Sequence, residues 1–127
     1  MKNPETKEQR EELLNEWSQR LGLGQWKIVA MLNANPSDLV LKEVAGESEW
    51  HTSVKIGYIR VIAKKFHEVD ESFDFEHTLV HELLHLKFGI FWDNSEGFAR
   101  DLLHQTIEEL ALALVDAKRS SSDRKSR

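Results

Sequence analysis

The segment His77-Thr78-Leu79-Val80-His81-Glu82-Leu83-Leu84-His85-Leu86-Lys87-Phe88 is the one that any fold of this chain must accommodate first. At roughly 100° of rotation per residue, His81, Glu82 and His85 fall within one helical sector about 100° wide that also holds Thr78. Leu79, Leu83 and Leu86, with Val80, Leu84 and Phe88, occupy the rest of the circumference. A helix so apolar is central and buried. It can carry three ionisable groups on one sector only where something satisfies them, because unpaired buried charge is expensive. Histidines at i and i+4 set both imidazoles about one turn apart, within reach of a single divalent ion. The glutamate between them is placed to take a proton from a metal-activated water. The plainer alternative is a solvated cleft or a polar network without metal.

Any metal here must be held without thiolates. Cysteine is absent, which excludes disulfides and sulfur-ligated zinc and suits a reducing compartment. The 127 residues fit one domain, and a chain of this size buries roughly two thirds of its unfolded surface. With 40% hydrophobic residues, four tryptophans and six phenylalanines the composition is globular. That single domain is expected over residues 1–117. Met1 to Arg10 is polar and charged with no apolar leader core, and no apolar run approaches about 18 residues. The expectation is a cytoplasmic protein without a membrane segment. A net charge of −5 argues against a broad nucleic-acid surface.

The sequence before the central segment predicts a helix and then a small sheet. Pro4, with Asn3 as N-cap, starts a helix to about Leu21 that places Leu13, Leu14, Trp17 and Leu21 on the core, with Gly22 and Gly24 ending it. From Trp26 the period changes to the alternation of a strand, followed by a turn at Asn33 to Asp38. Leu39 to Val44 reads equally as a short strand or a helical turn. Glu49 to Val54 and Gly57 to Ala63 are further strands, so three or four strands precede the central helix. Asp74 is placed as its N-cap, with Glu76 in the first turn. After Gly89, a helix stop, a last helix runs from about Ser95 to Ala117, with Asp93, Asn94 and Ser95 as rival caps. The fold class expected is α+β.

Several isolated residues invite functional readings that packing explains as well. Tyr58, the sole tyrosine, is a candidate hydrogen-bond donor to an oxyanion, although a strand tyrosine is more often packing. His51 and His67 stand alone, and Trp50 reads as core. His77, one turn before His81, reads as a neighbour of the metal cluster rather than a ligand.

A catalytic zinc takes three protein ligands and leaves one position open. Leu103, Ile107, Leu110 and Leu114 cluster on one side of the last helix, with His104 and Ala111 on that stripe's flank and Glu108 roughly 40° further round. His104, nineteen residues beyond His85, is the favoured third ligand beside His81 and His85. Glu108 is the alternative, either as ligand or as acceptor of a hydrogen bond from a ligating imidazole.

His81-Glu82-Leu83-Leu84-His85, followed by a ligand on a second helix, resembles the small zincin metallopeptidases. More narrowly it is similar to the minimal gluzincins and to phage- and prophage-associated peptidases, with the ImmA/IrrE family as a relative. The resemblance spans about Gly57 to Val115. It implies zinc (Zn2+) as cofactor and a peptide or protein as substrate. In those families a glutamate precedes an Ala/Leu-rich helix end, which Leu110-Ala111-Leu112-Ala113-Leu114-Val115 resembles. Counting back puts His104 where that glutamate is expected, and an imidazole there makes the site one charge more positive. The metzincin extension is absent, because Phe88 and Phe91 stand where it needs glycine and histidine. The larger thermolysin-like enzymes have a further domain for which this chain has no room.

The chemistry implied is metal-assisted peptide hydrolysis with Glu82 as general base. An exposed edge strand around Glu49 to Val54 would take an extended peptide by strand addition. Two other readings use the same residues differently. One is a latent metal-binding regulatory module, against which an intact Glu82 argues. The other is an interaction protein using its tail, since residues 118–127 are basic, serine-rich and expected to be disordered.

Overall fold

Local capping decides where the first helix begins. The computed structural model describes residues 3–41, 44–63, 66 and 72–125, and α1 spans Lys7–Arg20. The Thr6 hydroxyl accepts from Gln9 N at 3.1 Å while the Gln9 side chain accepts from Thr6 N at 3.1 Å. This reciprocal box displaces the expected start at Pro4 with Asn3 as cap. Asn3 instead donates to Phe73 O at 3.1 Å and accepts from Phe75 N at 2.8 Å, tying the N-terminal segment to the start of the central helix. Leu13 and Trp17 are buried, and Leu14 and Leu21 pack against them from the rim.

Strands β1 (Lys27–Ala34), β2 (Gly46–His51) and β3 (Ile56–Ile62) form one sheet in the order β1-β3-β2. The central β3 is parallel to β1 and antiparallel to β2. The strand expected at Glu49 to Val54 lies earlier in the chain, because Thr52 to Lys55 make the tight connection to β3. Val54 N bonds His51 O and Lys55 N bonds Thr52 O, each at 3.3 Å, with Lys55 at φ 54°. Of the ambiguous stretch from Leu39, the described part is neither strand nor helix. A single 3-10 turn at Pro36–Asp38 precedes it, and the buried Glu47 accepts from Val40 N at 2.6 Å. Lys42 and Glu43 lie outside the described residues.

Helix α2 (Phe75–Lys87) begins at Asp74, whose carboxylate accepts from His77 N at 3.2 Å as the sequence predicts. It crosses β3 and β2 so closely that a Cβ on Gly57 would stand 2.6 Å from Leu86 Cδ1. Leu79, Val80, Leu83 and Leu86 are at most 1% exposed, which is the central burial that their pattern requires. A short α3 (Gly89–Asp93) and a long α4 (Gly97–Lys125) follow. Four helices and a three-stranded sheet make the described residues an α+β fold. None of these helices is long and apolar enough to cross a membrane.

The buried line on α4 is Ile107, Ala111 and Val115, with Leu103, Leu110 and Leu114 only partly buried. The helix is thus turned roughly 70° from the orientation its leucines suggest, which brings the flank bearing His104 and Glu108 towards α2. Helix α4 runs past Ala117. The helix continues to Lys125, and the first two residues of the expected disordered tail are bound to α2. Lys118 pairs with the fully buried Glu76 and with Glu16, the latter at 3.1 Å. Arg119 holds Asp74 through two bonds of 2.7 and 3.0 Å and reaches Glu76 at 3.3 Å. Trp17 Nε1 also donates to Glu76, at 2.7 Å.

Replacing Lys118 and Arg119 together by Met leaves the Glu76 carboxylate buried with one neutral donor. This should lower stability by about 3 kcal/mol, read as a fall in the denaturant midpoint, and Glu76→Gln in that background should restore part of it.

Candidate metal centre

Helix α2 presents His81 and His85 on its polar sector, and α4 brings His104 across to them. The imidazole centroids of His81 and His85 are 5.0 Å apart, those of His81 and His104 5.3 Å, and those of His85 and His104 5.8 Å. One ring nitrogen from each of the three lies within 4.8 Å of the others. The Nε2 atoms of His81 and His85 are 3.3 Å apart. That is close to the separation of roughly 3.3 Å between two nitrogens on one tetrahedral zinc with Zn–N of about 2.0–2.1 Å. His104 is exposed, so its side chain has the rotamer freedom to complete the set.

Glu108 stands against one of these imidazoles and outside the three-histidine set. Its Oε2 is 2.5 Å from His81 Nδ1. A carboxylate there holds the proton on Nδ1 and leaves the Nε2 lone pair facing His85 and His104, as a partner of a metal-binding imidazole does. Glu108 Oε1 lies 3.1 Å from His77 Nε2, although the two are not aligned for a hydrogen bond. His77 is therefore a neighbour of Glu108 and stands outside the three-histidine cluster.

Burial disfavours the charged forms of His81 and His85. Desolvation, followed by the positive charges possible on His81 and His104, pushes the His85 pKa down to about 4. Desolvation also lowers that of His81, against the opposing pull of Glu108. For His81 and His85 a neutral ring with a free lone pair is the protonation state a cation needs. Three nitrogen donors without sulfur suit a borderline ion such as zinc, so the residues present fit the group.

Glu82 lies beside the cluster and is 7% exposed. Burial raises its pKa to about 7, helped by the charges of Glu47 and Glu108 and opposed by a hydrogen bond from the Ser48 side chain. Such a carboxyl is poised near neutrality, as a general base should be.

These groups open on a cleft of about 600 Å³, floored by α2 and walled by Val44 to Ser48 and Trp50 on one side and by His104 and Glu108 on the other. Gly46, Ser48 and Trp50 alternate along β2 with their α-carbons turned to α2. A Cβ on Gly46 would meet Thr78 and Glu82, Ser48 bonds Glu82, and Trp50 stacks on His85 at 5.8 Å and 8° between planes.

Two tryptophans of the site were not legible as such. Trp50 reads as core in the sequence yet lines the cleft, and Trp92 of α3 packs edge-on against His85 at 5.1 Å and against His104 at 6.2 Å. Only the alternation of Gly46, Ser48 and Trp50 hints at this, and it acquires meaning once the strand is paired. Tyr58 does not reach the cluster. It lies on the opposite sheet face, edge-on to the exposed His51 at 6.1 Å, so neither residue joins the site. His67 lies outside the described residues. Comparison with protein-family models, curated proteins and solved structures finds no match to this chain.

The Glu82 pKa makes a signed prediction for metal-free protein. A carboxyl whose folded pKa lies above its unfolded value stabilises most fully below about pH 4.5, and that contribution is lost as pH rises through 7. Glu82→Gln should therefore be more stable than wild type at pH 8 by up to about 3 kcal/mol. The difference should vanish near pH 4.5 when thermal unfolding is followed in the presence of chelator.

Proposed function

We propose that the protein is a zinc-dependent metallopeptidase. The observation that carries this reading is the convergence of His81, His85 and His104 from two helices, beside a buried carboxyl, at the floor of an open cleft. Bound there, zinc would supply Lewis acidity and lower the pKa of a water towards about 7. The remaining chemistry belongs to the chain. Glu82 takes the proton of the attacking water and delivers it to the leaving amine. Glu108 holds His81 in the tautomer that offers Nε2.

The sheet supports a peptide substrate. Ile62 N bonds Ala45 O at 3.0 Å, and with the antiparallel register this assigns Glu47, Glu49 and His51 to the backbone pairs bonded to β3. The N–H and C=O groups of Gly46, Ser48 and Trp50 then point along the free edge of β2, and among the described residues no strand pairs with that edge. An extended peptide adding to β2 would lie directly over the histidine cluster. A cysteine-free chain is suited to a reducing cytoplasm, the setting we assign to this activity.

Metal content and peptide hydrolysis test the reading together. Wild type should hold about one zinc per chain, as a single three-histidine site does. His81→Ala and His104→Ala should lose it. Glu108→Ala should keep the site with affinity weakened about 10- to 100-fold. Glu82→Gln should retain zinc and lose at least about 100-fold in kcat. Zinc uptake with no hydrolysis of any unstructured protein or peptide library would favour the regulatory metal-binding module instead.

Substrate engagement along β2 makes its own prediction. For a cleaved peptide, N-methylation at alternate backbone positions should raise KM by about 10-fold or more, since each methyl removes a ladder bond and clashes with the edge. Methylation at the intervening positions should have little effect.

A further inference from the structure

A ligating histidine almost always donates its second ring N–H to a carboxylate, a carbonyl or water, and this fixes the ring. His81 has that partner in Glu108. His85 does not. Among the described residues its buried Nδ1 has no hydrogen-bond partner, so what sets its ring orientation there is not a polar contact.

What lies against it is Trp50. The two rings are within 8° of parallel at a centroid distance of 5.8 Å, inside the range for offset stacking. Trp92 closes the ring's other approach edge-on at 5.1 Å and meets Trp50 at 84°. Trp50 is itself held at two points. Its Nε1 donates to the Asp93 carboxylate, at 3.1 and 3.2 Å to the two oxygens. Its five-membered ring occupies the space that a side chain at Gly89 would fill, since a Cβ there would stand 2.5 Å from Trp50 Cδ1 and 2.7 Å from Nε1. Gly89 is buried and has no positive backbone φ, so the demand for glycine is one of space for the indole.

We propose that Trp50, seated by Gly89 and tethered by Asp93, is the positioning residue that orients the His85 imidazole towards the metal, replacing the hydrogen bond that His85 lacks. The inference rests on the metal reading above. It assigns to a stacking contact a task that a carboxylate performs for His81, so one cluster holds its two α2 ligands by different physical means. It also gives β2 a second use, because the strand whose edge faces substrate carries the residue that sets the ligand beneath it.

The test compares zinc dissociation constants from chelator competition, the visible spectrum of the cobalt-substituted protein and the Tm of the metal-free form. The variants are Trp50→Leu, Trp50→Phe, Gly89→Ala and Asp93→Ala. Trp50→Leu should weaken zinc binding about 10-fold or more and alter the cobalt band. Trp50→Phe, which keeps an aromatic face, should stay within about threefold of wild type. Gly89→Ala should reproduce the Leu phenotype with Trp50 still present. A tryptophan that merely packs would instead lower the metal-free Tm and leave the cobalt band unchanged, which overturns the proposal. Should Trp50→Leu fail to fold, Asp93→Ala, at an exposed position, gives the same reading. Weakened zinc binding with an unchanged metal-free Tm supports the proposal, and unchanged binding overturns it. Wild type that takes up no zinc would remove the metallopeptidase reading as well, whereas normal zinc binding in both wild type and Trp50→Leu would remove this inference alone.

Discussion

Burying α2 is the constraint on which the other elements depend. Its apolar residues demand cover on nearly every side, and they receive it from β3 and β2, from α1 through Trp17, and from α4 through Ile107, Ala111 and Val115. The one sector that cannot be covered by hydrocarbon carries His81, Glu82 and His85. The chain leaves a cleft there, and β2, α3 and α4 contribute to its wall. A flat sheet edge, a second helix and a short tryptophan-bearing helix thus meet around the same three residues because they all pack on one helix.

The position of α4 follows from two kinds of contact at different points along its length. In its middle the small Ala111 permits close approach to α2. Towards its C-terminus, Lys118 and Arg119 reach the N-terminal turn of α2, where Asp74 and Glu76 complement the helix dipole as well as the cations. Arg119 keeps the Asp74 carboxyl below its ordinary pKa, although burial alone would raise it. These ion pairs lie about four turns from His104 on the same rigid helix, so they fix the register in which His104 and Glu108 meet His81. A basic stretch that reads as a solubilising tail is, in its first residues, part of what aligns the site.

The sequence is most informative where one element suffices to make the argument. The pentad, the N-cap at Asp74, the buried stripe at Leu13 and Trp17 and the strand from Gly57 are all set by local period or spacing, and the structure has them. His104 and Glu108 are legible as a pair of flank residues, but their division of labour depends on a rotation of α4 that its leucines do not encode. Trp50 is harder still. A tryptophan on a strand reads as core, and only the pairing of β2 with β3 and the closeness of α2 turn it onto a histidine. The contacts of Lys118 and Arg119 are hidden for a related reason: a run of Lys, Arg and Ser carries no apolar period, and Lys118 pairs with a buried carboxylate 42 residues earlier.

Two buried glutamates on α2 offer an internal comparison. Glu76 is fully buried and meets three donors, from Trp17, Lys118 and Arg119. That is a buried charge compensated as a structural group must be. Glu82, two turns of sequence later and almost as buried, has a hydrogen bond from Ser48 and two other carboxylates for neighbours, which raise its pKa further. Nothing about the fold requires an acid there, since a glutamine could keep a bond to Ser48 without the charge. The same helix therefore shows how this chain treats a carboxylate it needs for stability and one it leaves at a stability disadvantage. The second kind is expected where the group works on something bound beside it, and what lies beside Glu82 is the histidine cluster.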